Sequence, residues 1–172
     1  MLRLTPLLGL LAALASAQAE PLPDLPDPLG RAGMMAAVLR EADGSEVIVA
    51  TGGTNFPDKM PWQGGQRKYH KDILKLSRKD SAWSWSKIGE LSEGLVGAAF
   101  CATPRRDGLV IAGGASAEGH RADVWLVGLN GKVTRFAESM PRPRAYAGFT
   151  SSNGHLIIIG GIAHPDDTAA IA

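Results

Sequence analysis

The residues able to do chemistry sit in two glycine-bounded stretches of a 172-residue chain. Asn55, Arg67 and His70 fall within residues 54–71, and Glu118, His120 and Arg121 within residues 115–122. Carboxylates and imidazoles are the usual proton carriers at neutral pH, and a guanidinium is the usual two-pronged donor to a carboxylate. Each also has a plainer reading. Glu118 and Arg121 could be solvated loop charges or each other's ion-pair partner, and Arg121 could instead pair with Asp123. His70 and His120 could shuttle protons or be packed imidazoles bonded to backbone, and for His70 the packed reading is preferred. His155 opens a strand and His164 lies near the end of the chain. Without paired carboxylates at ligand spacing, four scattered His predict no metal site. A copper centre built on a Tyr joined to a Cys would need two His and a second Tyr; the chain offers only Tyr69, Tyr146 and Cys101, which argues against it.

Composition narrows the classes. Lys plus Arg number 18 and Asp plus Glu 17, and only Arg3 among these lies in the first 19 residues. The remainder is neutral, whereas nucleic-acid binders carry a basic excess. Hydrophobic residues at 45% exclude a disordered chain, and a single cysteine excludes an internal disulfide. Residues 1–19 combine Arg3, an apolar run and the small-residue patterns Ala15-Ser16-Ala17 and Ala17-Gln18-Ala19. They read as a cleaved export signal, too short in its apolar part for an anchor. The mature chain is therefore expected to be periplasmic or secreted, with no membrane attachment after cleavage.

The elements that must position the candidates form a repeat. An apolar run ending in Gly-Gly occurs at Gly52-Gly53, Gly113-Gly114 and Gly160-Gly161, the last glycines 61 and 47 residues apart. A preceding element starts at Leu25, Leu91 and Met140, 66 and 49 apart. An Asp-led strand follows the first two pairs, at Asp72 and Asp123, and then an aromatic-bearing strand with Trp83 and Trp85 or Phe136. Turns are expected at Asp43-Gly44, Asp107-Gly108, Asn130-Gly131 and Asn153-Gly154. Four-stranded units at about 50 residues predict an all-β, kelch-type β-propeller. Residues 20–172 supply about two and a half blades, with residues 20–33 read as the tail of a preceding outer strand. Closure needs four to eight blades. The chain is accordingly expected to be the N-terminal part of a longer protein or a truncated reading frame, with self-association of the incomplete propeller as the alternative. Tyr146 and Cys101 are expected to be buried, Trp83, Trp85, Trp125 and Phe136 to pack between blades, and Trp62 to pin the long loop.

Asn55-Phe56-Pro57-Asp58, Met60-Pro61-Trp62, Gly64-Gly65 and His70-Lys71-Asp72-Ile73 resemble the first-blade segment of the cyclically permuted mutarotases, kelch-propeller relatives of N-acetylneuraminate epimerase. Residues 113–127 resemble the same family's second blade, and the likeness runs over residues 25–161. It implies an isomerase that interconverts the anomers of N-acetylneuraminate (sialic acid) by acid–base ring opening without a cofactor. Arg121-Ala122-Asp123 matches the end of a loop in non-permuted epimerases, which implies that Arg121 anchors the sugar carboxylate and Glu118 is the acid–base group. Arg67, His70, Asn55 and His120 would contact the sugar. A non-catalytic kelch module that binds a glycan or protein, or an inactive remnant of the enzyme, are the rival readings.

Overall fold

The computed structural model describes residues 21–171, so the export signal expected over residues 1–19 lies outside them. In chain order the strands are β1 (Ala32–Arg40), β2 (Glu46–Asn55), β3 (Lys68–Tyr69), β4 (Asp72–Lys79), β5 (Ala82–Glu90), β6 (Ala99–Ala102), β7 (Gly108–Ala112), β8 (Ala115–Ser116), β9 (Gly119–His120), β10 (Val124–Gly128), β11 (Val133–Arg135), β12 (Gly148–Ser152) and β13 (His155–Ile159). They build antiparallel sheets in the orders β1-β2-β4-β5, β6-β7-β10-β11 and β12-β13, the expected two full blades and half of a third. β3 extends the end of β2, and β8 and β9 form a hairpin within the second long loop.

First strands lie innermost. β1 packs on β6 and β7, and β6 packs on β12 and β13, whereas β5 and β11 are largely exposed. The first blade-to-blade interface buries Met35, Leu39, Val49 and Ile73 against Leu95, Leu109, Ile111, Trp125 and Val127. Each such side chain contributes about 1.5–3 kcal/mol by leaving water.

The first two Gly-Gly pairs each join one blade to the next. Both glycines of all three pairs are left-handed, with φ of 74° and 84°, 68° and 98°, then 68° and 83°. Gly53 donates its N–H to the Leu95 carbonyl at 2.8 Å, and Gly114 donates to the Arg144 carbonyl at 2.9 Å. A Cβ on Gly52 would lie 2.5 Å from the Leu95 oxygen, and one on Gly113 would strike the Arg144 oxygen. A second set of bonds follows the inner strands: Gly97 donates to Gly33 at 3.1 Å, and Tyr146 donates to Gly97 at 2.8 Å.

Several expectations are corrected. Residues 21–30 form no strand; Pro21, Pro23, Pro26 and Pro28 lack the N–H a ladder needs, and the segment is held by side chains instead. Trp85 Nε1 donates to the Pro23 carbonyl at 3.0 Å, and Arg78 lies over the Trp83 ring, so both Trp side chains dress the outer strand rather than fill an interface. Trp125 is buried, whereas Phe136 is 46% exposed. Trp62, at 80% exposure, pins nothing, and Tyr146 at 51% is not buried. Cys101 is half-buried. At Asp107-Gly108 the left-handed residue is Arg106, and Gly108 instead opens β7. Asn153-Gly154 is the expected two-residue hairpin, with φ of 49° and 79°.

Gly113→Ala should lower stability by about 2–5 kcal/mol through left-handed strain plus collision with Arg144. Gly160→Ala, with φ 68° and open space around it, should cost only the strain, about 1–2 kcal/mol. Urea denaturation of the two variants checks the difference; equal losses would remove the blade-contact role of Gly113.

Candidate functional site

An antiparallel meander brings the ends of its second strands and the beginnings of its first strands to one edge. Residues 54–71, 91–98, 113–123 and 136–147 therefore open on one face. Two small clefts there share Arg67, Tyr69 and Ser116. One, of about 250 Å³, adds Glu93, Gly94 and Glu118; the other, of about 200 Å³, adds His120 and Tyr146. A wider cleft of about 660 Å³ is lined by Arg31, Asn55, Phe56, Arg67 and Tyr146. Arg67 lines all three, its guanidinium 5.5 Å from the Phe56 ring centre and 6.0 Å from that of Tyr69. It makes no salt bridge among the described residues.

Arg121 stands behind Glu118. Its Nε and Nη2 donate to Glu93 Oε2 at 2.9 and 2.5 Å, and Nη2 also reaches Glu118 Oε2 at 2.8 Å. Glu93 first, and Glu118 after it, hold the guanidinium even more firmly protonated than usual. Asp123, the other partner considered for Arg121, pairs with Arg135 instead. The Glu118 side chain is 79% exposed, against 26% for Glu93. Ser116 shapes this hairpin: its hydroxyl accepts from the Glu118 N–H at 3.2 Å and donates to the Gly119 carbonyl at 3.2 Å. His120 places Nδ1 3.1 Å from the Ile162 carbonyl. A carbonyl only accepts, so Nδ1 carries the hydrogen, and Nε2 is the nitrogen left to exchange a proton.

Asn55 and His70 belong to a deeper network. Arg31 donates through Nε to Asp27 at 2.8 Å and through Nη2 to Asp72 at 2.7 Å, with its side chain 6% exposed. Asn55 Nδ2 donates to the Gly30 carbonyl at 2.9 Å and to Asp27 at 3.2 Å. That leaves Asn55 Oδ1 to accept from His70 Nε2 at 3.0 Å. His70 is thus packed, as preferred, but its ring bonds a side chain rather than backbone. Burial first, then the Arg31 charge, holds the imidazole below its ordinary pKa, against the pull of Asp27. Burial, the largest single influence, acts to raise the Asp27 and Asp72 carboxyls, but the Arg31 hydrogen bonds, a backbone hydrogen bond and the charges of Arg31 and His70 together outweigh it, and both end lower than usual. The arrangement ties the 21–31 segment beneath the long loop.

The structure therefore gathers Arg67, Glu118, His120 and Asn55 on the walls of these clefts, sets Arg121 behind Glu118, and places His70 in the layer below. Sequence reasoning missed Glu93 and Tyr146. Both lie on approaches to first strands, which the meander brings to the same face. No group of three or more His, Cys, Asp or Glu suited to a metal occurs among the described residues. Another hollow, about 580 Å³ between the second and third blades, contains none of the candidates; burial pushes the thiol of its Cys101 upward, so little thiolate forms there.

No family model matches the chain, and no curated protein matches it. Among solved structures it is similar to one described as the structure of YjhT, a kelch propeller, with a TM-score of 0.58 and 23% identity over 82% of this chain. The chain spans 41% of that chain's length. The likeness shows the fold, an incomplete kelch-type β-propeller.

The buried network has a measurable pH signature. As pH falls below about 6.5 the unfolded chain protonates His70 while the folded chain resists, so stability drops. A further loss comes below about 4, as pH falls through the lowered values of Asp27 and Asp72. His70→Gln should remove the upper part of this loss in thermal melts from pH 7.5 to 5; an unchanged profile contradicts the assignment. Arg31→Met, which strands two carboxylates, should cost about 3 kcal/mol at pH 7.

Proposed function

We propose that the protein interconverts the anomers of N-acetylneuraminate by cofactor-free ring opening, outside the cytoplasm. The observation that carries this reading is the position of Arg67. Its guanidinium, without a salt-bridge partner among the described residues, forms the common wall of clefts that also carry Glu118 and His120. A sugar acid with a carboxylate on its anomeric carbon needs one such cation and two proton carriers. The resemblance of residues 52–73 to the cyclically permuted mutarotases and the fold shared with YjhT support the same reading.

In this scheme Arg67 receives the sugar carboxylate. Arg121, given that role by the resemblance to the epimerases, has Nε and Nη2 engaged by Glu93 and Glu118, so its part is to orient Glu118. Glu118 takes the proton of the anomeric hydroxyl. Protonated His120 gives a proton to the ring oxygen through Nε2, and the bond between the anomeric carbon and the ring oxygen breaks. The resulting ketone recloses on either face, and both protons return. Asn55, on the wall of the wider cleft, and His70 beneath it hold the long loop.

One observation favours a rival, a glycan-binding module without catalysis: Glu93, Arg121 and Glu118 already form a closed ion trio. Exchange NMR of N-acetylneuraminate anomers separates the two. The chain should accelerate exchange, Glu118→Gln should reduce the acceleration about 10²-fold or more, and Arg67→Met should mainly raise KM. Binding without acceleration supports the module; neither binding nor acceleration refutes both.

A further inference from the structure

The three blades carry equivalent left-handed residues where their first strands begin: Gly33 at φ 69°, Gly97 at 62° and Tyr146 at 56°. Two blades use the residue that adopts this conformation freely, and the third uses an aromatic one. A bulky residue there is a genuine outlier and persists only where its surroundings enforce it, a pattern that clusters at ligand sites. Enforcement is visible. The Tyr146 N–H is tied to the Gly97 carbonyl at 2.8 Å, and the ring edge occupies the space a Gly97 side chain would need, with Cδ1 2.5 Å and Cε1 2.6 Å from where a Cβ would stand. The ring is not used as filler, since Tyr146 is 51% exposed. It lines both the cleft containing Arg31 and Asn55 and the one containing Ser116 and His120, and Arg67 borders each. The His120 ring stands edge-on to it at 6.0 Å.

We propose that Tyr146 is the platform on which the apolar face of the bound sugar ring stacks, and that its left-handed backbone is retained to aim the ring between the clefts. This rests on the reading of the face as a sugar site. An aromatic ring offers an apolar surface with few rotatable bonds, which suits recognition of a rigid ring whose polar groups are met by Arg67 and the hairpin residues. Gly97 then has a second function beyond blade contact, leaving room for that ring.

Tyr146→Gly tests the proposal because structure and function move in opposite directions. It restores the residue of the other two blades, so the urea midpoint should rise. Affinity for N-acetylneuraminate, followed by ligand-observed NMR titration of the full chain, should fall about tenfold or more. Tyr146→Phe keeps the ring and should bind within about threefold of the unaltered protein. If the unaltered chain binds and Tyr146→Gly binds equally well, the platform is refuted while the sugar site stands. A loss as large with Tyr146→Phe as with Tyr146→Gly also overturns it, since the hydroxyl and not the ring face would be responsible. A lowered midpoint for Tyr146→Gly shows that the tyrosine is structural and refutes the stored-strain argument. An unaltered chain that binds no sugar removes both this proposal and the site reading beneath it.

Discussion

The blade-to-blade hydrogen bonds from Gly53 and Gly114, the second glycines of the first two Gly-Gly pairs, are the contacts on which the rest of the structure depends. Gly53 donates to Leu95 and Gly114 to Arg144, and the left-handed glycine before each, Gly52 and Gly113, lies too close to the next blade for a Cβ. Two consecutive left-handed residues are accessible to glycine at little cost and to other residues only with strain. The same bonds fix the site. Leu95 lies two residues beyond Glu93, and Arg144 two before Tyr146, so the contacts that set blade spacing also set how far these side chains stand from the loops of the preceding blade.

A second constraint acts from below. Arg31, buried between Asp27 and Asp72, joins the segment ahead of β1 to the start of β4. Asn55 and His70 extend that connection to both ends of the long loop. Within this loop the root is rigid and the tip, with Met60 and Trp62, is solvent-exposed. Arg67 lies one residue before β3, near the rigid root, which is where a side chain that must meet a charged group gains most from preorganisation. The hairpin of β8 and β9 does the equivalent for Glu118 and His120, with Ser116 bonding its turn.

Much of the fold was legible in the chain. The Gly-Gly spacing gave the blades, and the apolar runs at residues 47–53 and 109–114, each closed by Gly-Gly, gave the strands, because repeat spacing and punctuation are local signals. The two loops bearing Arg67 and Glu118 followed from the same pattern. What was not legible depends on contacts distant in sequence. Asp27 and Arg31 looked like part of a strand, and the salt bridge from Arg31 to Asp72 crosses some 40 residues. Glu93 was missed because the element starting at Leu91 was read only as part of the repeat, although the meander puts it on the functional face. Tyr146 was assigned to the core as an aromatic at a strand start; aligning it with Gly33 and Gly97 would have marked it as the exception. Trp62 was assigned a packing role from residue type alone, which does not determine burial at a loop tip.

The central claim is that the loops after the second strands and before the first strands make one sugar site. Amide chemical-shift mapping of the ¹⁵N-labelled chain with N-acetylneuraminate measures it most directly. Shifts concentrated at Tyr69, Glu93, Ser116, His120 and Tyr146, with the Cys101 and Leu156 cleft unmoved, are the expected result. Shifts confined to that second cleft, or none at saturating sugar, would contradict it.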